Sequence, residues 1–253
     1  MENSTDFESM FEECTNLSEF NLSKIKVSNI NSMKRMFYNC KKLKEVDLSG
    51  FNTSKATNMS AMFDGCYSLT FLDLSGFDTS KTEYMYDMFY SCHSLASLDL
   101  SNWNISNAKD MNSIFRGCGH LHLLDISSFD FSKIASTFEM FSYCGNLTDL
   151  KFGKNLRTSL NLYDCPLTHK SAMSVINGLG KPFADYTFTR KELIGMKHQN
   201  PRYKSTRYRS INNIINFSEE TYNTLSKNDI KLAENKNWKI TSDKWHHFNK
   251  EIN

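Results

Sequence analysis

Hydrophobic and polar positions repeat along the first 150 residues with a fixed period of 26. Six segments read F-x-x-C-x-x-L in one register, and their phenylalanines are Phe11, Phe37, Phe63, Phe89, Phe115 and Phe141. A fixed period between about 20 and 50 residues is typical of chains whose neighbouring copies stack and bury each other's apolar faces. The pattern therefore predicts a repeat architecture, and each 26-residue copy is called a unit below.

Two hydrophobic rhythms occur within each unit. In NMSAMFDGC the apolar residues fall at i, i+3, i+4 and i+7, and they are Met59, Met62, Phe63 and Cys66. This spacing predicts a helix of about two turns. In SLTFLDLSGF the spacing is L-x-x-L-x-L, formed by Leu69, Leu72 and Leu74. Because the end of this run alternates apolar and polar residues, it predicts a half-buried strand.

The motif M-F-x-x-C-x-x-L-x-x-L-D-L-S-x-F-x-T-S, as it stands at 62–80 and 88–106, resembles the BspA-type leucine-rich repeat of bacterial surface proteins. The resemblance covers about residues 6–156. It implies an α/β leucine-rich-repeat solenoid, with one short parallel strand and one short helix per repeat. It also implies a C-terminal capping α/β module and a role in adhesion at a cell surface.

The remaining chain predicts that capping module. The expected domains are a six-repeat array at 1–156 and a module at 157–253. Leu160 and Leu162 predict a strand, Thr168 the N-cap of a helix, Ser226 the start of a later helix, and 238–240 a final strand. The segments 166–171 and 233–238 resemble the module that closes BspA-type arrays.

Six cysteines share the 26-residue period: Cys14, Cys40, Cys66, Cys92, Cys118 and Cys144. Side-by-side helices lie about 8–10 Å apart, whereas a disulfide needs Cα atoms within about 7 Å. The sequence also has no C-x₂-C pair of the kind that zinc sites use. The period therefore predicts a row of buried free thiols.

Charge divides unevenly along the chain. Residues 1–150 carry 12 Lys+Arg and 19 Asp+Glu, a net −7, whereas residues 151–253 carry 18 and 9, a net +9. The excess is concentrated in a basic insertion at 181–210 that interleaves cations with tyrosines, namely Arg202, Tyr203, Lys204, Arg207, Tyr208 and Arg209. Such a segment can bind phosphate backbones or anionic glycans, or it can be a solvated loop.

A second candidate surface is formed by strand positions that alternate away from the core. One column contains Glu45 and Phe71, and the next contains Asp73, Asp99 and Asp125. Neighbouring carboxylates about 4.8 Å apart repel by about 3 kcal/mol at an effective dielectric of 20. Hydrogen bonds from Ser and backbone amides, protonation or a bound cation would offset this repulsion.

No motif for catalysis, cofactor binding or metal binding is present, since G-x-S-x-G, H-E-x-x-H and a complete phosphate loop are all missing. The sequence predicts a non-enzymatic recognition or attachment protein without cofactors, at the cell surface or extracellular, that binds a protein or glycan. The alternative is a virion component, such as a phage tail or fibre protein. Neither a transmembrane run nor a signal peptide is evident, and the uncovered first unit is expected to dock on another chain or a missing domain.

Overall fold

The computed structural model describes residues 5–22, 24, 26–181 and 214–242. Its strands and helices are short, and most of the repeat region lies in turns and in segments without regular structure. The strands are β1 Thr5–Asp6, β2 Glu19–Asn21, β3 Ile30–Ser32, β4 Glu45–Asp47, β5 Ser97–Asp99, β6 Leu123–Asp125, β7 Asp149–Lys151, β8 Leu160–Leu162, β9 Ile214–Phe217 and β10 Lys239–Thr241. The helices are a 3₁₀ turn at Phe131–Lys133, α1 His169–Asn177, α2 Glu219–Thr224 and α3 Lys227–Glu234.

Strands of neighbouring units pair in parallel with the 26-residue offset of the sequence. Phe20 of β2 lies opposite Val46 of β4, and Leu98, Leu124 and Leu150 follow one another across β5, β6 and β7. A second line of parallel bridges joins Ser32, Asn58, Tyr84 and Asp110 at the same offset. Equivalent residues of successive units are therefore stacked in register.

The strand predicted at the end of residues 69–74 is not formed, although neighbouring units have strands at the equivalent positions. The segment still alternates exposed and buried residues, and the amide of Thr70 donates to the carbonyl of Lys44 at 3.0 Å. The β2–β4 and β5–β6–β7 sheets are consequently separated by residues 71–73.

The short helix predicted over residues 58–66 is wrong, because this segment is a run of turns. Ala61 and Gly65 have φ of 53° and 76°, in the left-handed region that an α-helix cannot use. The amides of Ala61, Phe63 and Gly65 donate to carbonyls of the next unit, at 2.8–3.0 Å, while intervening amides bond three residues back. The apolar spacing of a helix is thus retained, but its backbone hydrogen bonds run between units.

The phenylalanines and cysteines of the repeated motif form two rows through the core. Successive rings of the phenylalanine row are 5.3–6.0 Å apart and within 13° of parallel. All seven cysteines are free, and all except Cys14 are buried, which confirms the predicted thiol row from Cys40 onward. Cys14 contradicts it, because Cys14 is exposed.

The C-terminal part, of which residues 157–181 and 214–242 are described, continues the apolar core of the repeats. Its sheet has the order β10–β9–β8, with all pairs parallel. The predicted caps are confirmed: Thr168 accepts from the amide of Ser171 at the start of α1, and Ser226 forms a capping box with Asp229 at the start of α3. Helix α2 was not predicted. One cluster of buried apolar side chains runs from Leu22 to Ile240.

Candidate recognition face

The strand face is the set of outward-pointing residues on β2, β4, the 71–73 segment, β5, β6 and β7. Its middle strand residues are buried or half-buried, and the residues on either side point outward. The register places Glu19 opposite Glu45, and Ser97, Leu123 and Asp149 in one row. The columns predicted from the 26-residue period therefore exist wherever strands are paired.

Each aspartate of the column formed by Asp47, Asp73, Asp99 and Asp125 is held by its own turn. Its Oδ1 accepts from the backbone amide of the serine two residues later, at 2.9–3.1 Å, and the pairs are Asp47–Ser49, Asp73–Ser75, Asp99–Ser101 and Asp125–Ser127. In one of these pairs, the hydrogen bonds from Ser75 hold the pKa of Asp73 below its usual range. Hydrogen bonds from backbone amides, which are one of the explanations for how the column tolerates its charge, are therefore present at all four aspartates.

One cation of the chain already pairs with this column. The Nζ of Lys151 lies 2.7 Å from Oδ2 of Asp125, on the next strand. Partial burial would raise the pKa of Asp125, yet the hydrogen bonds from Lys151 and Ser127 hold that pKa below its usual range. A lysine is thus accommodated beside a carboxylate whose other oxygen remains bound to its own turn.

Two apolar side chains are exposed among these acids. Phe71 is 64% exposed and Leu123 is 40% exposed. Phe71 lies in the segment that separates the two sheets, and Glu45 at the equivalent position of the preceding unit is also exposed. Large apolar side chains in a field of carboxylates can serve as anchors for a cationic partner.

The structure describes only some of the predicted site residues. Glu45, Phe71, Asp73 and Asp99 are exposed on the strand face, and Asp125 is half-buried. The basic set lies outside the described residues and comprises Arg202, Tyr203, Lys204, Arg207, Tyr208 and Arg209. The candidate face therefore consists of repeat residues alone.

Sequence reasoning missed a small aromatic stack at the edge of the array. The rings of Tyr67 and His93 are 5.1 Å apart, and the Nζ of Lys41 lies 6.0 Å from the Tyr67 ring. The Nδ1 of His93 is 2.7 Å from the carbonyl oxygen of Gly117. These three side chains each follow a cysteine of the repeat, so comparing that position across units would have found them.

Neither a metal-binding cluster nor a membrane-spanning helix is present among the described residues. In this part of the chain, no group of three or more His, Cys, Asp or Glu side chains is arranged to hold a metal ion. None of the helices described for residues 169–234 is long and apolar enough to cross a membrane.

Comparison with known proteins gives one family match. A family model described as "Mycoplasma protein of unknown function, DUF285" matches residues 5–122 and 72–158, which together cover more than half of the chain. No curated protein and no solved structure matches.

Proposed function

The chain belongs to the DUF285 family of Mycoplasma proteins of unknown function, and from that premise we propose that it is a non-enzymatic recognition protein. In this proposal the strand face binds a partner at a cell surface. The main support for it is the exposure of Phe71, at 64%, beside a column of hydrogen-bonded aspartates.

We also propose that the repeats are of the BspA leucine-rich type and that they stack as a solenoid. Supporting this are the 26-residue strand register and the stacked phenylalanine row. A stack of this kind presents one regular face over several units, since each unit buries the apolar side of its neighbour.

The charge and apolarity of the strand face favour a cationic polypeptide as partner. Asp73 and Asp99 present exposed carboxylates, and the Lys151–Asp125 pair shows the geometry in which an ammonium group meets the column. Phe71 and Leu123 supply the apolar contact that such a partner would bury. Exposed ion pairs alone add little affinity, so the apolar anchors should dominate the binding energy.

Selection of peptides from a random displayed library against the whole protein tests this function. We expect enriched peptides to combine Lys or Arg with aromatic or aliphatic residues, and their affinity to fall as salt rises. Phe71→Ser should weaken their binding at least tenfold, because truncating a central anchor costs about 2 kcal/mol.

The matched control is Tyr143→Ser, since Tyr143 is also 64% exposed but lies on a turn outside the strand face. This variant should bind the selected peptides as the unaltered protein does. Peptides that bind the Phe71→Ser protein as tightly as the original would show that the strand face is not the recognition surface.

A further inference from the structure

A polar ridge runs along the array beside the strand face. It is formed by the residues one, two and four positions after each repeated cysteine, from Thr15 in the first unit to Thr148 in the sixth. None of these eighteen residues is buried, and none is Asp or Glu, although residues 1–150 carry a net charge of −7. The strand face begins at the next residue of each unit, for example at Glu45, so an acidic surface and a surface without acids lie side by side.

Backbone hydrogen bonds hold the ridge residues of successive units side by side. At each step from the second to the fifth unit, a ridge amide donates to a ridge carbonyl of the preceding unit at 3.0–3.2 Å, and the donor–acceptor pairs are Thr70–Lys44, Ser94–Tyr67 and His120–His93. Neighbouring strands are about 4.8 Å apart, so the ridge advances by about that distance from one unit to the next. It is therefore one continuous surface over these units.

The fixed cations of the polar ridge are Lys41, Lys42 and Lys44, which are all exposed. The Nζ of Lys42 lies 2.9 Å from Oδ1 of Asn16, and that of Lys41 lies 6.0 Å from the centre of the Tyr67 ring. Among the described residues, none of the three lysines forms an ion pair with an acid. Their ammonium groups can therefore form charge-assisted hydrogen bonds with an anionic ligand.

Two exposed histidines add hydrogen-bond acceptors to the same surface. The Nδ1 of His93 lies 2.7 Å from the carbonyl oxygen of Gly117, and the Nδ1 of His120 lies 2.7 Å from that of His93. Because a carbonyl oxygen can only accept, Nδ1 carries the hydrogen in each ring, and Nε2 of the neutral ring is an acceptor. Neither Nε2 has a hydrogen-bond partner among the described residues. A ligand that satisfies these atoms needs hydrogen-bond donors as well as negative charge.

We propose that the polar ridge binds an acidic polysaccharide of the uronic-acid type, which has one carboxylate and free hydroxyl groups on each sugar. The carboxylates pair with the three lysines, and sugar hydroxyls donate to Nε2 of His93 and of His120. The lysines lie in the second unit and the histidines in the fourth and fifth, about 10–14 Å further along the stack. An extended chain of several sugars reaches both sets.

The composition of the polar ridge argues against a polypeptide or a nucleic acid as its ligand. A protein interface has an apolar core, whereas Tyr67, at 39% exposed, is the only large apolar side chain among the ridge residues, all of which the structure describes. Nucleic-acid bases stack on aromatic faces, but the Tyr67 ring is already stacked against His93, with 5.1 Å between the ring centres. Ammonium groups beside hydroxyl and imidazole groups suit a charged sugar better.

Binding of an oligogalacturonate to the whole protein at pH 7.5 tests this proposal. We expect the affinity to fall as salt rises, because exposed ion pairs are screened. Two probes of the same length separate the two kinds of contact. The methyl ester of the oligogalacturonate keeps its hydroxyls without the charge, and oligoglutamate keeps the carboxylates without the hydroxyls. Both should bind at least tenfold more weakly. Absence of oligogalacturonate binding, or equal binding of oligoglutamate, would overturn the proposal.

Charge variants locate this binding on the polar ridge. Lys41→Glu, Lys42→Glu and Lys44→Glu combined should weaken oligogalacturonate binding at least tenfold, whereas Arg at the same three positions should retain it. The matched control reverses the charge of three exposed lysines outside the ridge, which are Lys55, Lys81 and Lys133. It should bind as the unaltered protein does. Full binding by the ridge variant, or an equal loss in the control, would contradict the assignment.

Histidine variants test the acceptors separately. His93→Phe combined with His120→Phe keeps a ring beside Tyr67 and removes both Nε2 atoms. Binding of oligogalacturonate should weaken at least fivefold, since two hydrogen bonds are lost, and that of oligoglutamate should not change. An equal loss for both probes would overturn the role of the sugar hydroxyls. Circular dichroism would verify that each variant is folded. Phe71→Ser should leave oligogalacturonate binding unchanged, so this outcome is independent of the strand face.

Discussion

Asp110 shows how one residue departs from its equivalents in the other units. It occupies the position of Ser32, Asn58 and Tyr84, in the same line of parallel bridges, and is 4% exposed. Its Oδ1 accepts from the amide of Asn112 at 2.9 Å, while its buried Oδ2 has no hydrogen-bond partner among the described residues. Burial raises the pKa of Asp110 to about 6, and the nearby Asp87 carboxylate adds to that rise.

This raised pKa predicts that stability falls as pH increases. Between pH 3.8 and about 6 the folded protein binds a proton at Asp110 that the unfolded chain has released. The stabilisation is present below the unfolded pKa and is lost as pH rises through the folded one. It amounts to about 3 kcal/mol in all. In urea unfolding, Asp110→Asn should therefore gain about 2 kcal/mol relative to the original protein between pH 4.5 and 7.5.

Asp73→Asn is the control, because the pKa of Asp73 is lowered rather than raised. Any pH-dependent difference for this variant should have the opposite sign, with the original protein gaining stability as pH rises. A pH-independent difference between Asp110→Asn and the original protein would show that Asp110 is not protonated in the folded state.

At the scale of the element, the turn segment with its cysteine is the recurring piece of structure. Burial raises the pKa of Cys40 to about 11 and that of Cys118 to about 12, and it raises the pKa values of Cys66, Cys92 and Cys144 well above the usual range. The reactive form of cysteine is the thiolate. Burial and a raised pKa therefore both suppress the chemistry of these thiols.

Alkylation of the folded protein should modify one of its seven cysteines rapidly, and that residue should be Cys14. Mass spectrometry at pH 7.5 should show a single added group per chain, followed by six more only under unfolding conditions. Cys14→Ser should remove the rapid phase. Rapid modification of Cys92 in the native protein would show that the thiol row is not buried.

At the scale of the whole molecule, close backbone contact joins α1 to the end of the repeats. A Cβ added at Gly178 would lie 2.2 Å from the carbonyl oxygen of Gly153, and one at Gly180 would lie 2.9 Å from the backbone of Asn155. The amide of Leu156 donates to Gly178, and that of Gly180 donates back to Leu156. These glycines let the C-terminal part cover the last unit.

Gly178→Ala should therefore destabilise the protein by roughly 3 kcal/mol, the upper end of what overpacking costs. Gly76→Ala is the matched control, since a Cβ there meets no atom of the described residues within 4 Å. Thermal unfolding of both variants would measure the difference. Equal stability of the two variants would mean that the C-terminal part can move away from the repeats without lowering the stability of the protein.

Local signals predicted some elements well and others poorly. Thr168 and Ser226 were found because a cap is formed by residues three positions apart in the chain. The helix expected at residues 58–66 was wrong because its i, i+3, i+4, i+7 spacing also suits a turn segment whose amides bond to the next unit. Helix α2 was missed because it is only six residues long.

The sequence predicted the strand face only in part, because some of its features depend on contacts between units. The 26-residue period was enough to place Asp99 beside Asp125 and to indicate that both point outward. It gave no sign that the strand would be lost at residues 71–73 or that Lys151 would pair with Asp125. Those features depend on distances between units.

The sequence by itself determined the period, the register and which side chains of a unit face its neighbours, because identical units can bury their apolar faces only against one another. Tertiary structure alone decided the backbone of the turn segments, since their amides have acceptors only once the next unit is in place. It also decided that Cys14, with the same local sequence as Cys40, is exposed. Burial depends on what lies on both sides of a residue, and that is a property of the stack.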